Sequence, residues 1–179
     1  MIPIIAQVVG IVAMFFCTFA FQQKNAKSII AWQMIGMLLF TVNFMMLGEY
    51  LAAILNFTGF IRALLFLKKD KIHTDSLGWF WVFLAAYLGA YVLTFTVFGT
   101  EPTAPNFLLQ CCPVLGMVFV HLGLRHEDTK KLRLLCMLGS ISWLIFNVIA
   151  VAIGAILCET FNIISILIAM VRFRKEKTE

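Results

Sequence analysis

Long apolar runs, separated by short polar segments, occupy almost the whole chain. A membrane-crossing helix needs about 20 mostly apolar residues, and the polar segments leave seven runs of roughly that length. The predicted spans are Ile2–Phe21, Ile29–Leu47, Leu51–Leu67, Leu77–Phe98, Phe107–Leu124, Leu134–Ile153 and Ala155–Val171. This pattern predicts an all-α integral membrane protein with seven transmembrane helices.

The positions of the basic residues support seven spans and predict an orientation. Every Lys and Arg except Arg62 follows the first, third, fifth or seventh span, whereas the alternate segments hold only Glu among charged residues. Basic loops stay in the cytoplasm, so we expect the N-terminus outside and the C-terminus in the cytoplasm. A single helix over Leu134 to Cys158 would place the last basic cluster on the outer side of the membrane. The basic-loop rule therefore favours a turn near Gly154.

Composition excludes several classes of protein. The chain is 62% apolar and 13% charged, whereas soluble domains have about 45–50% apolar and about 25% charged residues. A soluble enzyme, a disordered chain, a nucleic-acid binder and a disulfide-stapled module are therefore not expected. The five cysteines lie in apolar runs without metal-ligand spacing, so neither a metal nor a cofactor is predicted.

The two ends of the chain resemble each other. A shift of 103 residues overlays Gln7–Gly36 on Gln110–Gly139, and a shift of 106 overlays Gly48–Lys71 on Gly154–Lys177. We therefore predict a 3+1+3 arrangement of two triple-helix repeats, residues 1–76 and 107–179, joined by a linker helix and outer loop at 77–106. An odd number of linking helices gives both repeats the same orientation in the membrane.

Short motifs relate this plan to known families. The 3+1+3 plan with an outside N-terminus resembles the SWEET and PQ-loop transporters, and residues 22–28 are similar to their loop after the first helix. The segment Asn43–Asn56 with Arg62, and the segment Ser142–Asn147 with Glu159–Asn162, look like the YgjV family of bacterial inner-membrane proteins. The resemblance covers most of the chain and implies its fold.

The SWEET resemblance also implies binding residues. In those carriers one Asn on the third helix of each repeat faces the substrate, which implies Asn56 and Asn162 here, with Phe40 and Trp143 flanking them. The paired prolines of SWEET helices are mostly absent. Pro113 is a candidate hinge, but its repeat partner is Gly10. The Pro-Gln signature is missing as well.

Helix rise gives an independent estimate of depth for the amides. Asn56 and Asn162 each precede a basic residue by 12 positions, which is about 18 Å along a helix and near the middle of a layer about 30 Å thick. Asn43 and Asn147 lie about one turn outward of Phe40 and Trp143. Such amides should face the protein interior, either to bind a small polar solute or only to join helices.

Three ionisable residues have open roles. Arg62 could neutralise an anionic solute or gate the inner mouth, extend to the headgroups, or form a structural pair. His121 could couple proton movement or could be an interfacial histidine. Glu159, just below the outer turn, is expected to be in contact with water there.

These features favour a small polar solute transporter, a facilitator or secondary carrier that works by alternating access between the repeats. The alternative is a non-transporting receptor or accessory subunit on the same fold. No enzymatic activity is expected, because the chain lacks a plausible nucleophile and base. The expected partners are the lipid bilayer and an unidentified solute, with a possible homo-oligomer and no nucleic acid.

Overall fold

The part of the chain that the structure describes forms helices and short connections. The computed structural model describes residues 4–20, 26–68, 72–74, 76–125 and 129–175. Within these ranges the helices are α1 (Ile4–Ala20), α2 (Ala26–Leu47), α3 (Tyr50–Phe66), α4 (Leu77–Thr96), α5 (Ala104–Arg125), α6 (Thr129–Ile149) and α7 (Ile153–Lys175). The described ranges contain no strand. The predicted all-α, seven-helix membrane fold is confirmed, and a turn separates α6 from α7 as expected.

Some sequence predictions concern residues outside the described ranges. They include the beginning of the loop at 22–28 and the basic residues Lys24, Lys69, Lys71 and Lys177. The orientation and the repeat boundaries 1–76, 77–106 and 107–179 therefore stay predictions.

The apolar surface of the helices fits a bilayer. Ile30–Leu47, Leu77–Thr96 and Ala104–Gly123 are each long and apolar enough to cross a membrane, and the other four helices contain shorter apolar stretches. Large apolar side chains are exposed on every helix, for example Phe15, Leu38, Phe57, Val92, Leu115, Ile145 and Ile168. An apolar exterior of this extent requires a lipid or protein partner.

Six of the helices form a closed ring. Neighbours pack in the order α1, α2, α3, α5, α6, α7 and back to α1. The two contacts between the halves, α1–α7 and α5–α3, correspond to each other in the repeat. Helix α4 packs against α3 and α5 through one buried face formed by Phe83, Tyr87, Ala90 and Thr94, so it lies outside the ring.

The α2–α3 and α6–α7 turns lie at the same end of the ring, called here the turn end. Asn43, near the end of α2, donates a 2.6 Å hydrogen bond from Nδ2 to the Ala6 carbonyl at the start of α1. Gln7 of α1 donates from Nε2 to the Val151 carbonyl at 2.9 Å and accepts from the Ile153 amide at 3.0 Å. The beginning of α1 thus joins both turns, and both halves run in the same direction.

The hydrogen bonds of the two turns establish the register between the halves. In the first turn the amides of Gly48 and Glu49 donate to Met45 and Phe44, and in the second those of Val151 and Ala152 donate to Val148 and Asn147. Every pair is related by a shift of 103. The left-handed residue is Gly48 (φ 78°) in one turn and Val151 (φ 54°) in the other.

This register corrects the sequence alignment of the third helices. A shift of 103, rather than 106, aligns Asn56 with Glu159 and Gly59 with Asn162, so the two asparagines are not equivalent. The shift of 106 matched Gly48 with Gly154, but Gly154 has a different role. It lies so close to the backbone of Gly10 that a Cβ would overlap it, and α7 thereby packs directly on α1.

Candidate functional site

Four buried aromatic rings fill the ring of helices near the turn end. Phe40 and Phe44 belong to α2, and Trp143 and Phe146 belong to α6. The ring centroid of Phe44 lies 6.1 Å from that of Phe40, 6.2 Å from that of Trp143 and 6.3 Å from that of Phe146. This aromatic cluster links the second helices of the two halves and closes the interior at that level. It contains both predicted flanking residues, Phe40 and Trp143.

The two asparagines nearest the turn end are completely enclosed. Asn43 and Asn147 are each 1% exposed. The bond from Asn43 to Ala6 joins α2 to α1, which is the structural role weighed from the sequence. The Oδ1 atoms of Asn43 and Asn147 have no hydrogen-bond partner among the described residues.

The deeper asparagines are partly buried and bond within their own helices. Asn56 donates from Nδ2 to the Ala52 carbonyl at 2.9 Å. Asn162 donates from Nδ2 to Glu159 Oε2 at 3.3 Å. Each bond lies within one helix, so neither bond links that helix to a neighbour. Their role in substrate binding stays a prediction.

Glu159 lies inside α7, away from the outer turn where the sequence suggested it. It is six residues after the start of α7, which is about 9 Å along the helix. Its carboxylate interacts with the Ser140 hydroxyl of α6 as well as with Asn162. Among the described residues no cationic side chain forms an ion pair with it.

Arg62 is directed toward α4. The residue is 3% exposed, and its guanidinium donates a 3.1 Å hydrogen bond from Nη1 to the Tyr87 hydroxyl. Because Tyr87 is in the middle of α4, this guanidinium does not extend to the headgroups. Arg62 follows Asn56 by six positions, so the two side chains leave α3 about 120° apart. A role for Arg62 in solute binding stays a prediction.

His121 lies in the same α3–α4–α5 junction. It is 0% exposed, and the rings of Phe66, Phe80 and Phe83 surround it at centroid distances of 5.4 to 6.2 Å. Protein side chains therefore enclose it, and whether it couples proton movement or lies at the level of the membrane interface stays open. Neither ring nitrogen has a hydrogen-bond partner among the described residues.

Pro113 is buried in the interior of α5, which continues as a helix on both sides of it. A shift of 103 aligns it with Gly10, the residue on which Gly154 packs. This places the proline in a helix at the other contact between the halves, α3–α5. Its hinge role is untested and stays a prediction.

Sequence reasoning did not identify Ser140, Tyr87 or the clamp that Gln7 forms on the α6–α7 turn. A single Ser or Tyr in an apolar run gives no signal of its partner. For Gln7 the sequence did contain a signal, since Gln7 aligns with Gln110 in the repeat. The described residues contain no group of three or more His, Cys, Asp or Glu able to hold a metal ion.

Comparison with known proteins identifies the family. The model of the family Imp-YgjV, described as bacterial inner membrane protein, matches residues 4–177. No curated protein and no solved structure gives a significant match. Because the family model covers almost the whole chain, the protein belongs to the Imp-YgjV family of bacterial inner membrane proteins.

Proposed function

We propose that this inner membrane protein carries a small polar solute across the bilayer by alternating access between its two halves. The observation that supports this most is a set of polar side chains, called here the polar group: Ser140 and Asn162, which both interact with Glu159, and Asn56, which lies at the level of Glu159 in the other half. Three of these side chains are partly buried rather than enclosed. They lie about 9 to 14 Å along their helices from the turn end, from the level of Phe40 and Trp143 to about one helical turn farther in. Polar side chains at such depth are costly in a membrane and typically functional.

In this proposal the aromatic cluster is the outer gate. Because the predicted orientation puts the turn end outside, closed packing of Phe44 on Trp143 and Phe146 would separate the polar group from the exterior. A solute would enter from the cytoplasmic side in this state. Movement of α2 away from α6 would open the opposite path.

The halves meet at two seams, α1–α7 and α3–α5. At the first seam Gly10 faces Gly154 without intervening side chains. Smooth backbone contact of this kind offers no interlocking side chains, so the helices can rotate against each other with little repacking. The sequence contains no ATP-binding motif, and we therefore propose a facilitator or secondary carrier.

Flux through liposomes containing the purified protein tests the proposal. Counterflow is measured with labelled amino acids, sugars, amines and nucleobases. We expect uptake of one class, and loss of about tenfold or more in the double variant Asn56→Ala and Asn162→Ala, on the scale of two lost hydrogen bonds. Thr160→Ala is the matched control, since Thr160 is exposed and bonds only to its own helix.

Two results would contradict parts of the proposal. Unchanged flux in the double variant would remove these asparagines from the site. Absence of flux for every class, combined with a stable protein partner recovered in mild detergent, would favour the receptor or accessory-subunit alternative.

A further inference from the structure

We infer that the solute is a small organic cation, whose ammonium group binds Glu159 of α7 beside the aromatic cluster. This inference rests on the proposed carrier function and names the chemical class of its substrate. Three observations support it: a carboxylate without a cationic partner among the described residues, one unpartnered acceptor oxygen, and aromatic rings about one helical turn from the residue that holds the carboxylate.

Among the described residues, Glu159 is the only acidic residue that lies within the bounds of a helix. A carboxylate inside a membrane protein is costly unless an opposite charge and hydrogen bonds compensate it. Its partners, the Ser140 hydroxyl and the Asn162 amide, are neutral donors. They hold the carboxylate in position and leave its charge available to a cation.

The position of Glu159 fits a central site. The register of the two turns aligns it with Asn56, so the two residues lie at the same level in opposite halves. Residues 155, 158, 159 and 162 share one side of α7, since they are spaced three or four apart, and all are buried or partly buried. That side faces the neighbours α1 and α6 and the interior of the ring.

One unpartnered acceptor lies on the same helix as Ser140, about 10 Å farther along α6 toward the turn end. The Oδ1 atom of Asn147 is buried without a partner among the described residues. The register aligns Asn147 with Phe44, which is part of the aromatic cluster. An acceptor oxygen at this point would suit a donor or a positive charge, and would not suit an anion.

The aromatic cluster supplies a third attraction. Trp143 is three residues from Ser140 on α6, which is about one helical turn toward the turn end. The face of an aromatic ring attracts a cation, and Trp does so most strongly. A carboxylate held by Ser140, with the Trp143 ring about one helical turn farther along α6, is suited to an ammonium group.

The other ionisable groups near Glu159 do not supply the positive charge that a bound ammonium group would provide. Helix α1 contributes Cys17, which lies against Cys158, and α6 contributes Cys136. Cys136 lies within electrostatic range of both Glu159 and Arg62. The guanidinium of Arg62, however, is bonded to Tyr87 on α4.

Thermal unfolding of the purified protein in detergent tests binding without requiring transport. The probes are two matched pairs, choline with 3,3-dimethylbutan-1-ol and ethanolamine with 1-propanol, in which each neutral alcohol lacks only the positive charge. We expect at least one cation to raise the Tm in a saturable way, while its neutral partner does not. Glu159→Gln should weaken that binding by about 30-fold or more. Glu101→Gln, in the exposed loop before α5, should leave it unchanged.

Equal stabilisation by a cation and its neutral partner would overturn the inference, as would no stabilisation by either cation. These comparisons use the wild-type protein and hold even if Glu159→Gln fails to fold. A folded Glu159→Gln variant that keeps full cation binding would also overturn it. Cation binding without flux would contradict the carrier proposal but support the cation site. Flux of a neutral or anionic solute that Glu159→Gln does not affect would support the carrier proposal and contradict the cation site.

Discussion

At the residue scale, the buried asparagines differ in whether their hydrogen bonds join two helices or stay within one. Asn43 is enclosed and joins two helices, whereas Asn56 and Asn162 are partly buried and bond within one helix. Depth estimated from helix rise placed all three inside the membrane, but it could not separate these roles. The difference depends on which neighbouring helix faces each amide, and a single sequence does not specify that.

Glu49, in the turn between α2 and α3, gives a prediction for pH dependence. Burial raises the pKa of this carboxyl above its usual value of 4.5. The protonated form is therefore favoured in the folded protein, and its contribution to stability is present at low pH and lost as pH rises through the raised pKa. Glu49→Gln should reduce the fall in Tm between pH 4 and pH 7, measured by thermal unfolding in detergent.

The control for this measurement is Glu101→Gln, because Glu101 is exposed. We expect its pH profile to follow that of the wild type. A Glu49→Gln variant whose Tm falls with pH as steeply as the wild type would contradict the prediction.

At the element scale, the apolar runs predicted every helix but not its ends. Helix α2 begins at Ala26 and α6 at Thr129, earlier than the predicted Ile29 and Leu134. Polar residues extend these helices beyond the apolar core, and a hydropathy pattern does not record where hydrogen bonding begins. The register between α3 and α7 was wrong for a related reason, since apolar sequences align almost equally well at several shifts.

The backbone of the α6–α7 turn is strained at Val151, and a substitution can test this. Val151 has a left-handed backbone conformation, which costs an ordinary residue about 1–2 kcal/mol, and a branched side chain is especially unfavourable there. Its counterpart in the other turn is Gly48. Val151→Gly should therefore raise the free energy of unfolding by about 1 kcal/mol.

The reciprocal change, Gly48→Val, should lower stability by a similar amount. Both effects are measured by unfolding in a mixed-detergent titration. If Val151→Gly destabilises the protein, the branched side chain contributes packing at this turn that outweighs the strain.

At the scale of the whole molecule, the ring of six helices could be predicted only in part. The positions of the basic residues predicted seven spans. The single helix between the repeats predicted that both halves have the same orientation. The closure of the ring through α1–α7 and α3–α5 depends on close approaches such as that of Gly154 to Gly10. A glycine in an apolar run does not reveal which backbone will approach it.

The α1–α7 seam can be tested at that contact. Gly154→Ala places a methyl group against the backbone of Gly10, and because backbone cannot move aside as a side chain can, we expect a loss of about 1–3 kcal/mol in stability. Gly89→Ala in α4 is the matched control. No atom lies within 4 Å of its added Cβ, so its stability should stay equal or rise by up to about 1 kcal/mol.

Thermal unfolding of the two variants in the same detergent compares them directly. A Gly154→Ala protein as stable as the Gly89→Ala protein would mean that α1 and α7 are not in backbone contact in the bilayer form.

The placement of α4 makes the two seams unequal. This helix covers the α3–α5 seam and touches both halves there, whereas none of the other described helices covers the α1–α7 seam, where α1 and α7 pack directly on each other. Opening the α3–α5 seam would require one half to separate from α4 as well. Relative rotation of the halves would consequently pivot about α4 and have its greatest amplitude on the far side of the molecule, so a spectroscopic distance pair between α1 and α7 would report the motion better than one between α3 and α5.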